Sequence, residues 1–258
     1  MILTIDVGNT NVVLGCVENG QVIRTTRIST NRNDLANDYA LKIRQCFELD
    51  GIDTTDIEGA IMSSVVPPVT EAIKGAIKKL LGINCLVVGA GVKTGLDIKI
   101  DDPGTAGCDL ITGSVGALAK YKPPLIIIDM GTATTVIAVD KNSAFRGGAI
   151  LPGVKLSYSA LSSGASLLPV ISIKEAPKKV ISTNTVDCMK SGAIFGTAAM
   201  VDGMIERMEE ELGEPVTAVA TGGIAGHIIP YCKRKIEYEP NLLLHGLEII
   251  YKKNKKRK

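Results

Sequence analysis

The strongest constraint on how this chain folds is a pattern that it carries twice. Residues 2–14 read ILTIDVGNTNVVL and residues 125–137 read LIIIDMGTATTVI. Each copy is an apolar, β-branched run with a carboxylate just before its end, then a glycine, a short polar turn and a second run. That is the pattern of strand, tight turn and strand. At an offset of 123 residues Asp6 faces Asp129, Gly8 faces Gly131, and Thr10 and Asn11 face Ala133 and Thr134. Asn19, ahead of Gly20, then faces Asn142 in the next turn. A single copy reads most plainly as a hairpin whose Asp caps the turn. Two copies with the carboxylate in register point to a shared chemical task.

The pattern around the two copies is also alike. Strands are expected at 2–7, 11–17 and 21–28, then again at 123–131, 132–140 and 143–151. In the first half, Leu35, Tyr39, Ile43 and Phe47 have helical spacing and Gly51 is a stop. A strand in "IEGAIMSSVVPP" (57–68) ending at Ser63-Ser64, and Pro67-Pro68 opening a helix, follow, then a strand at 83–89 and a helix from Gly107 to Lys120. The second half continues with helices at 153–163 and 185–212, a strand at 216–223 and a helix at 241–253. Two halves, each opening β-β-β and continuing α/β, imply tandem duplication, with domains at 1–122 and 123–258. Each domain would present its strand–turn–strand to a cleft between them, where ligands usually bind.

The turn chemistry narrows the task. Gly8 admits close backbone approach to a ligand. The N–H groups of Gly8, Asn9, Thr10 and Asn11 can converge on an anion. A carboxylate beside such a nest repels a phosphate unless a cation bridges them, so Asp6 and Asp129 read as cation-serving groups. No GxxxxGK[ST] motif occurs. "GAGVKTG" at 89–95 follows a strand but does not open a helix as a dinucleotide fingerprint would. "ATGGIAG" at 220–226 does run from strand to helix, and its glycine pair suits close passage of a flat base or ribose.

Composition excludes several classes. Hydrophobic residues make up 45% of the chain, enough for a full core, yet no run approaches a membrane span. "MILTIDVG" has an acidic residue and no positive start, so it reads as a strand and not as a signal peptide. The tail 252–258, KKNKKRK, holds six of the 29 basic residues and leaves 23 basic against 27 acidic in the rest. A nucleic-acid reading would rest on that tail alone, and a solvated terminus is expected instead. Six scattered cysteines without a CxxC pair, and only two histidines, argue against a zinc site or a His triad. They fit reduced thiols in a cytoplasmic protein.

The duplicated phosphate hairpin with a late TGG turn resembles the acetate and sugar kinase/Hsp70/actin superfamily, and in detail the type III pantothenate kinases. The resemblance runs through "DVGNTN" (6–11), "SSVVPP" (63–68), "GVKTGL" (91–96), "DDPGTAGCD" (101–109), "DMGTATT" (129–135), "GGAILPG" (147–153), "TNTVDCMKSG" (183–192) and "ATGG" (220–223). It implies two duplicated ribonuclease H-like (actin-like ATPase) α/β domains. It also implies ATP-dependent phosphorylation of pantothenate, the first step of coenzyme A synthesis. By position, Asp6, Val7, Gly8, Asn9, Thr10, Asn11, Val12 and Val13 would bind nucleotide, joined by Thr132. Asp6 would serve Mg²⁺-ATP (or another divalent ion), and Asp129 a monovalent cation, K⁺ or NH₄⁺. Ile100, Gly107, Cys108, Asp109 and Leu110 would line the pantothenate site. Thr185 of a partner subunit would complete it in a homodimer that binds neither nucleic acid nor membrane.

Asp109 would be the base. Its place at a helix start favours an ionised carboxylate, which suits a group that accepts a hydroxyl proton in phosphoryl transfer. The family's usual run is Gly-Ala-Asp-Arg with an Asn three residues on. Here it is Gly107-Cys108-Asp109-Leu110 followed by Gly113, and Ile100 stands where an aromatic is common. Leucine cannot form the bidentate bonds that arginine makes to a carboxylate. The phosphate half of the pattern is kept and the acceptor half is altered. A kinase of this fold for another small alcohol, or a non-catalytic accessory protein, are the alternatives.

Overall fold

The computed structural model describes residues 1–255, so the last three residues of the basic tail lie outside the described residues. The chain forms two compact units. The first comprises Met1–Leu96, Asp101–Lys120 and the segment from Asn241 on; the second comprises Asp97–Ile100 and Tyr121–Pro240.

In the first unit, β1 (Ile2–Val7), β2 (Asn11–Glu18) and β3 (Gln21–Ser29) form an antiparallel meander. Helix α1 (Ala36–Asp50) leads to β4 (Gly59–Ser64), and α2 (Pro67–Leu81) leads to β5 (Cys85–Val87). The sheet order is β3-β2-β1-β4-β5, with β4 parallel to β1. Alternation along β1 sends Leu3, Ile5 and Val7 to one face, where they pack with Tyr39, Ile43 and Phe47 of α1 and Ile73 and Ile77 of α2. Ile2 and Ile61 lie on the opposite face. That second face is covered by Val115 of α3 (Cys108–Leu118) and by Leu247 and Ile250 of α8 (Leu242–Asn254).

The duplication predicts α8 in the second half, but it folds onto the first sheet. The reason is apolar: that face needs a second helix, and glycines let α8 approach α3. A side chain at Gly246 would strike the Thr112 carbonyl, and one at Gly116 would strike that of Leu242. Gly113 is buried on α3 as well. The tail lysines are partly engaged: Lys252 pairs with Glu248 at 2.7 Å and Lys255 with Glu58 at 2.8 Å.

The second unit adds β6 (Asp97–Ile98) to β7 (Leu125–Met130), β8 (Ala133–Val139) and β9 (Ala144–Pro152). After α4 (Val154–Gly164) come α5 (Thr185–Ser191), α6 (Thr197–Leu212), β10 (Thr217–Thr221), α7 (Ala225–Ile228) and β11 (Ile236–Tyr238). The sheet order is β11-β10-β7-β8-β9-β6, so its first five strands repeat the topology of the first unit in reverse listing. The helix expected over 185–212 is broken by a π-helical turn at Gly192–Gly196. Two glycines weaken the helix there, and the Tyr158 hydroxyl lies 2.5 Å from where a Gly192 Cβ would sit. The strands β6 and β11 are too short and too charged to show apolar alternation.

The repeat is not a constant offset. Asp6 stands opposite Val13, and Asp129 opposite Thr135. The second turn is therefore one residue shorter, and past it the offset is 122. The β-bulges agree, falling at Cys16/Val17 and at Ala138/Val139. A one-residue error here exchanges the faces of a strand. Asn11 corresponds to Ala133, not to Thr134, which points into the apolar side with Val136. Among the described residues no helix is long and apolar enough to cross a membrane.

Candidate functional site

Both copies of the repeat build the same local object. β1 and β7 share one burial pattern: every residue is buried except the carboxylate, Asp6 or Asp129, which is half-buried. Each carboxylate thus sits near the C-terminal end of a central strand, the end at which open α/β sheets bind ligands. In the first turn the Gly8 N–H donates to the Asn11 carbonyl at 2.9 Å; in the second the Gly131 N–H donates to that of Ala133 at 2.9 Å. Asn9 and Thr10 are exposed, as are Gly131 and Thr132.

The first turn is braced by a segment that sequence reading passed over. The Thr30 hydroxyl donates to the Gly8 carbonyl at 2.7 Å, and the Thr30 N–H donates to the Thr10 carbonyl at 3.0 Å. Arg32 Nη2 donates to Asn9 Oδ1 at 2.9 Å. These bonds fix the turn in a preformed shape.

Asp6 faces the side of the sheet that carries α3. It is in register with Ser63 on β4, and Val7 with Ser64. Ser63 is fully buried. Its hydroxyl donates to Cys108 Sγ at 3.3 Å, and the Cys108 thiol donates to the Ser64 carbonyl at 3.1 Å. Burial pushes the Cys108 thiol above its ordinary pKa, against the opposing bond from Ser63, so the sulfur keeps its proton. Asp109 follows directly. Gly107 is the N-cap of α3, and a side chain there would put its Cβ 2.5 Å from Asp109 Oδ1. Asp109 Oδ1 accepts from the Leu110 N–H at 2.9 Å, which orients the carboxylate at the helix start. Leu110 is half-buried, with Cγ 3.4 Å from that same Gly107 position. The fold therefore gathers Asp6, the 8–10 turn, Ser63 and Gly107–Leu110 at one end of the first unit. Ser63 could have been found in the sequence only as part of "SSVVPP"; Arg32 and Thr30 carried no signal.

In the second unit Asp129 is in register with Thr221 on β10 and Thr135 on β8. The TGG turn closes over it: Gly222 has φ +94°, and a Cβ there would lie 2.6 Å from Asp129 Oδ1 and from Met130 N and O. The Gly153 N–H donates to the Thr132 carbonyl at 3.0 Å, and a side chain at Gly153 would strike the carbonyls of Gly131 and Thr132. Beside the turn, a cavity of ≈ 370 Å³ is lined by Gly223, Ile224, His227, Lys155, Tyr158 and Lys174. Ile100 belongs to this unit, not to the first; its Cγ2 packs 3.4 Å from where a Gly147 side chain would begin. Thr185 is exposed at the start of α5, where Asn184 Oδ1 caps the helix by accepting from the Asp187 N–H at 2.9 Å.

Among the described residues no three His, Cys, Asp or Glu side chains converge to hold a metal. Mg²⁺ needs no such cage, because it keeps waters and takes one or two carboxylates plus substrate phosphates. At the Gly222 turn, Asp129 Oδ1 and the Met130 carbonyl each lie 2.6 Å from where a Cβ would sit, two oxygens of the kind that hard cations take.

Comparison with known proteins agrees over the length of the chain. The family described as Type III pantothenate kinase matches residues 2–207. A type III pantothenate kinase of Exiguobacterium sibiricum is 43% identical over 255 residues, covering 99% of this chain and 100% of that one. That of an Exiguobacterium sp. is 41% identical over 256 residues, with 99% and 100% coverage. In structure the chain is similar to component A of the (R)-2-hydroxyglutaryl-CoA dehydratase of Acidaminococcus fermentans, with a TM-score of 0.56, 15% identity and 99% coverage of both chains. A ROK family glucokinase of Streptomyces griseus gives a TM-score of 0.52 at 12% identity, over 96% of this chain and 97% of that one. At such identities these two likenesses speak to the fold alone, the duplicated ribonuclease H-like α/β architecture.

Proposed function

The chain belongs to the type III pantothenate kinase family, and on that premise we propose how its own residues perform the family's reaction. The protein is an ATP-dependent kinase that phosphorylates pantothenate to 4′-phosphopantothenate, the step that opens coenzyme A biosynthesis. It uses ATP with a divalent cation.

The division of labour follows from the two turns. In the first unit the Gly8 N–H is spent inside the turn on the Asn11 carbonyl, so the exposed Asn9 and Thr10, in a turn set by Thr30, cradle phosphate oxygens, and Asp6 would hold the divalent ion that travels with them. Val7 and Asn11 to Val13 form the strand walls of that cradle. Asp109 accepts the proton of the pantothenate 4′-hydroxyl as its oxygen bonds to the γ-phosphorus. The bond to the β-phosphate oxygen breaks, and ADP leaves with the electron pair. Little covalent work falls to the protein, so positioning and electrostatics carry the rate. From the second unit we assign Thr132 to the nucleotide, the cavity beside Gly223 to the nucleoside, and Asp129 to K⁺ or NH₄⁺. A monovalent ion there would supply fixed positive charge at the end of β7.

Gly107, Cys108 and Leu110 border the acceptor, and we assign Ile100 and Thr185 to it as well, Thr185 from the partner in a homodimer. Support for a dimer comes from large apolar side chains left open before α5: Leu167 is 90% exposed, and Val170 and Ile181 are each 86% exposed. The six thiols are free, which supports a reducing, cytoplasmic setting.

The observation that carries this reading is the placement of Asp6 and Asp109. Asp6 faces the side of the sheet on which α3 begins, with the α3 N-terminus bonded to the strand beside it. The test is ATP-dependent turnover with pantothenate, read as ADP and 4′-phosphopantothenate formed in equal amounts. Phosphorylation of a different alcohol in preference to pantothenate would overturn the assignment of the acceptor.

A further inference from the structure

We propose that Ser63 and Cys108 are positioning residues, which hold the base Asp109 in register with the phosphate turn; the proposal rests on the reading of Asp109 as base. The acceptor hydroxyl must lie both within hydrogen-bond reach of Asp109 and in line with the phosphorus. Asp109 rides on α3, whereas the phosphate turn and Asp6 ride on β1. A catalytic group must be held to within about 0.5 Å by its supporting shell. The connection between these two elements runs through β4. Main-chain register locks Ser63 opposite Asp6. The Ser63 hydroxyl then donates to Cys108 Sγ at 3.3 Å, and the thiol donates on to the Ser64 carbonyl at 3.1 Å. The next residue is Asp109.

Three further facts make this a built clasp and not a chance contact. Ser63 is fully buried, so its hydroxyl has no bulk water to turn to. The Ser64 end is itself tied down: its hydroxyl accepts from Thr70 Oγ1 at 2.7 Å and from the Val66 N–H at 3.2 Å. Burial keeps the Cys108 sulfur protonated, so it serves as donor and acceptor at once. An alanine at this position could do neither. This chain therefore sets its base with a thiol one residue ahead of it.

The experiment is a set of variants of the whole enzyme, each measured for kcat, KM for ATP and melting temperature. Cys108→Ala and Ser63→Ala should each lower kcat about tenfold, the scale of a displacement well under 1 Å, with KM for ATP little changed; Cys108→Ala, which leaves the buried Ser63 hydroxyl without its acceptor, should also lower the melting temperature by a few degrees. Cys108→Ser should recover most of the loss seen with Ala. The double variant should be no worse than either single one, because both break the same link. Adding Cys108→Ala to Asp109→Asn should cost nothing further, because the clasp acts through Asp109. A Cys108→Ala enzyme with kcat within about twofold of wild type, beside an inactive Asp109→Asn, would overturn the clasp alone. A loss that Cys108→Ser fails to recover, or that adds to Asp109→Asn, would do the same. A fully active Asp109→Asn would remove the base reading and the clasp with it.

Discussion

Gly222 lies against Asp129 so closely that any other residue there would put its Cβ 2.6 Å from the carboxylate oxygen. Its φ of +94° is also one that side-chain-bearing residues rarely adopt. The TGG turn thereby holds a carboxylate at the end of β7 in one place. Gly222→Ala should destabilise the protein by more than about 1 kcal/mol and lose stimulation by K⁺ or NH₄⁺. Thermal melting and a cation titration of turnover check both. A variant with the wild-type melting temperature and cation response would separate the TGG turn from Asp129.

Leu110 tests how the substrate carboxylate is held. A charge-assisted hydrogen bond contributes roughly 1.5–3 kcal/mol net, or about ten- to a hundredfold in binding. If the pocket simply lacks that bond, Leu110→Arg should lower KM for pantothenate. We expect the reverse, because Leu110 is half-buried against Gly107 and Asp109 and an arginine would crowd the base. Steady-state kinetics in pantothenate decide between the two. A tenfold fall in KM at constant kcat would show that nothing has taken the arginine's place.

Thr134 offers a stability test away from the chemistry. It is 1% exposed, and its hydroxyl is a buried polar atom without a hydrogen-bond partner among the described residues. It shares the apolar side of β8 with Val136. An unsatisfied buried hydroxyl costs roughly 1–3 kcal/mol, so Thr134→Val, nearly the same shape, should raise the melting temperature by several degrees. A fall on substitution would mean that the hydroxyl has a partner in solution.

How far the sequence could be read depended on whether a signal was local. The two strand–turn–strand copies declared themselves because a half-buried Asp in an otherwise buried strand breaks the apolar run in the same place twice. The same logic gave the helices at 67–81 and 107–120, with Pro67 and Gly107 at their starts. The exact correspondence past the turns was not legible. A turn one residue shorter leaves the letters nearly alignable at 123, and only the pairing of Asp129 with Thr135 reveals the slip. The place of α8 was illegible for another reason: an apolar helix face does not state which sheet it covers. Ser63 and Thr30 were missed because a serine or threonine at a strand end looks the same whether it faces water or braces a site.

We assign Asp109 as the base of a phosphate site whose other half is Asp6 and the 8–10 turn. Asp109→Asn preserves the shape and still offers an oxygen to the Leu110 N–H, so the fold and the nucleotide cradle should survive. The measurement is kcat with pantothenate together with ATP affinity of the same preparation. We expect ATP affinity close to wild type and kcat lower by at least the ~10²-fold typical of losing a general base. A variant that binds ATP normally and keeps more than about a third of wild-type kcat would contradict it.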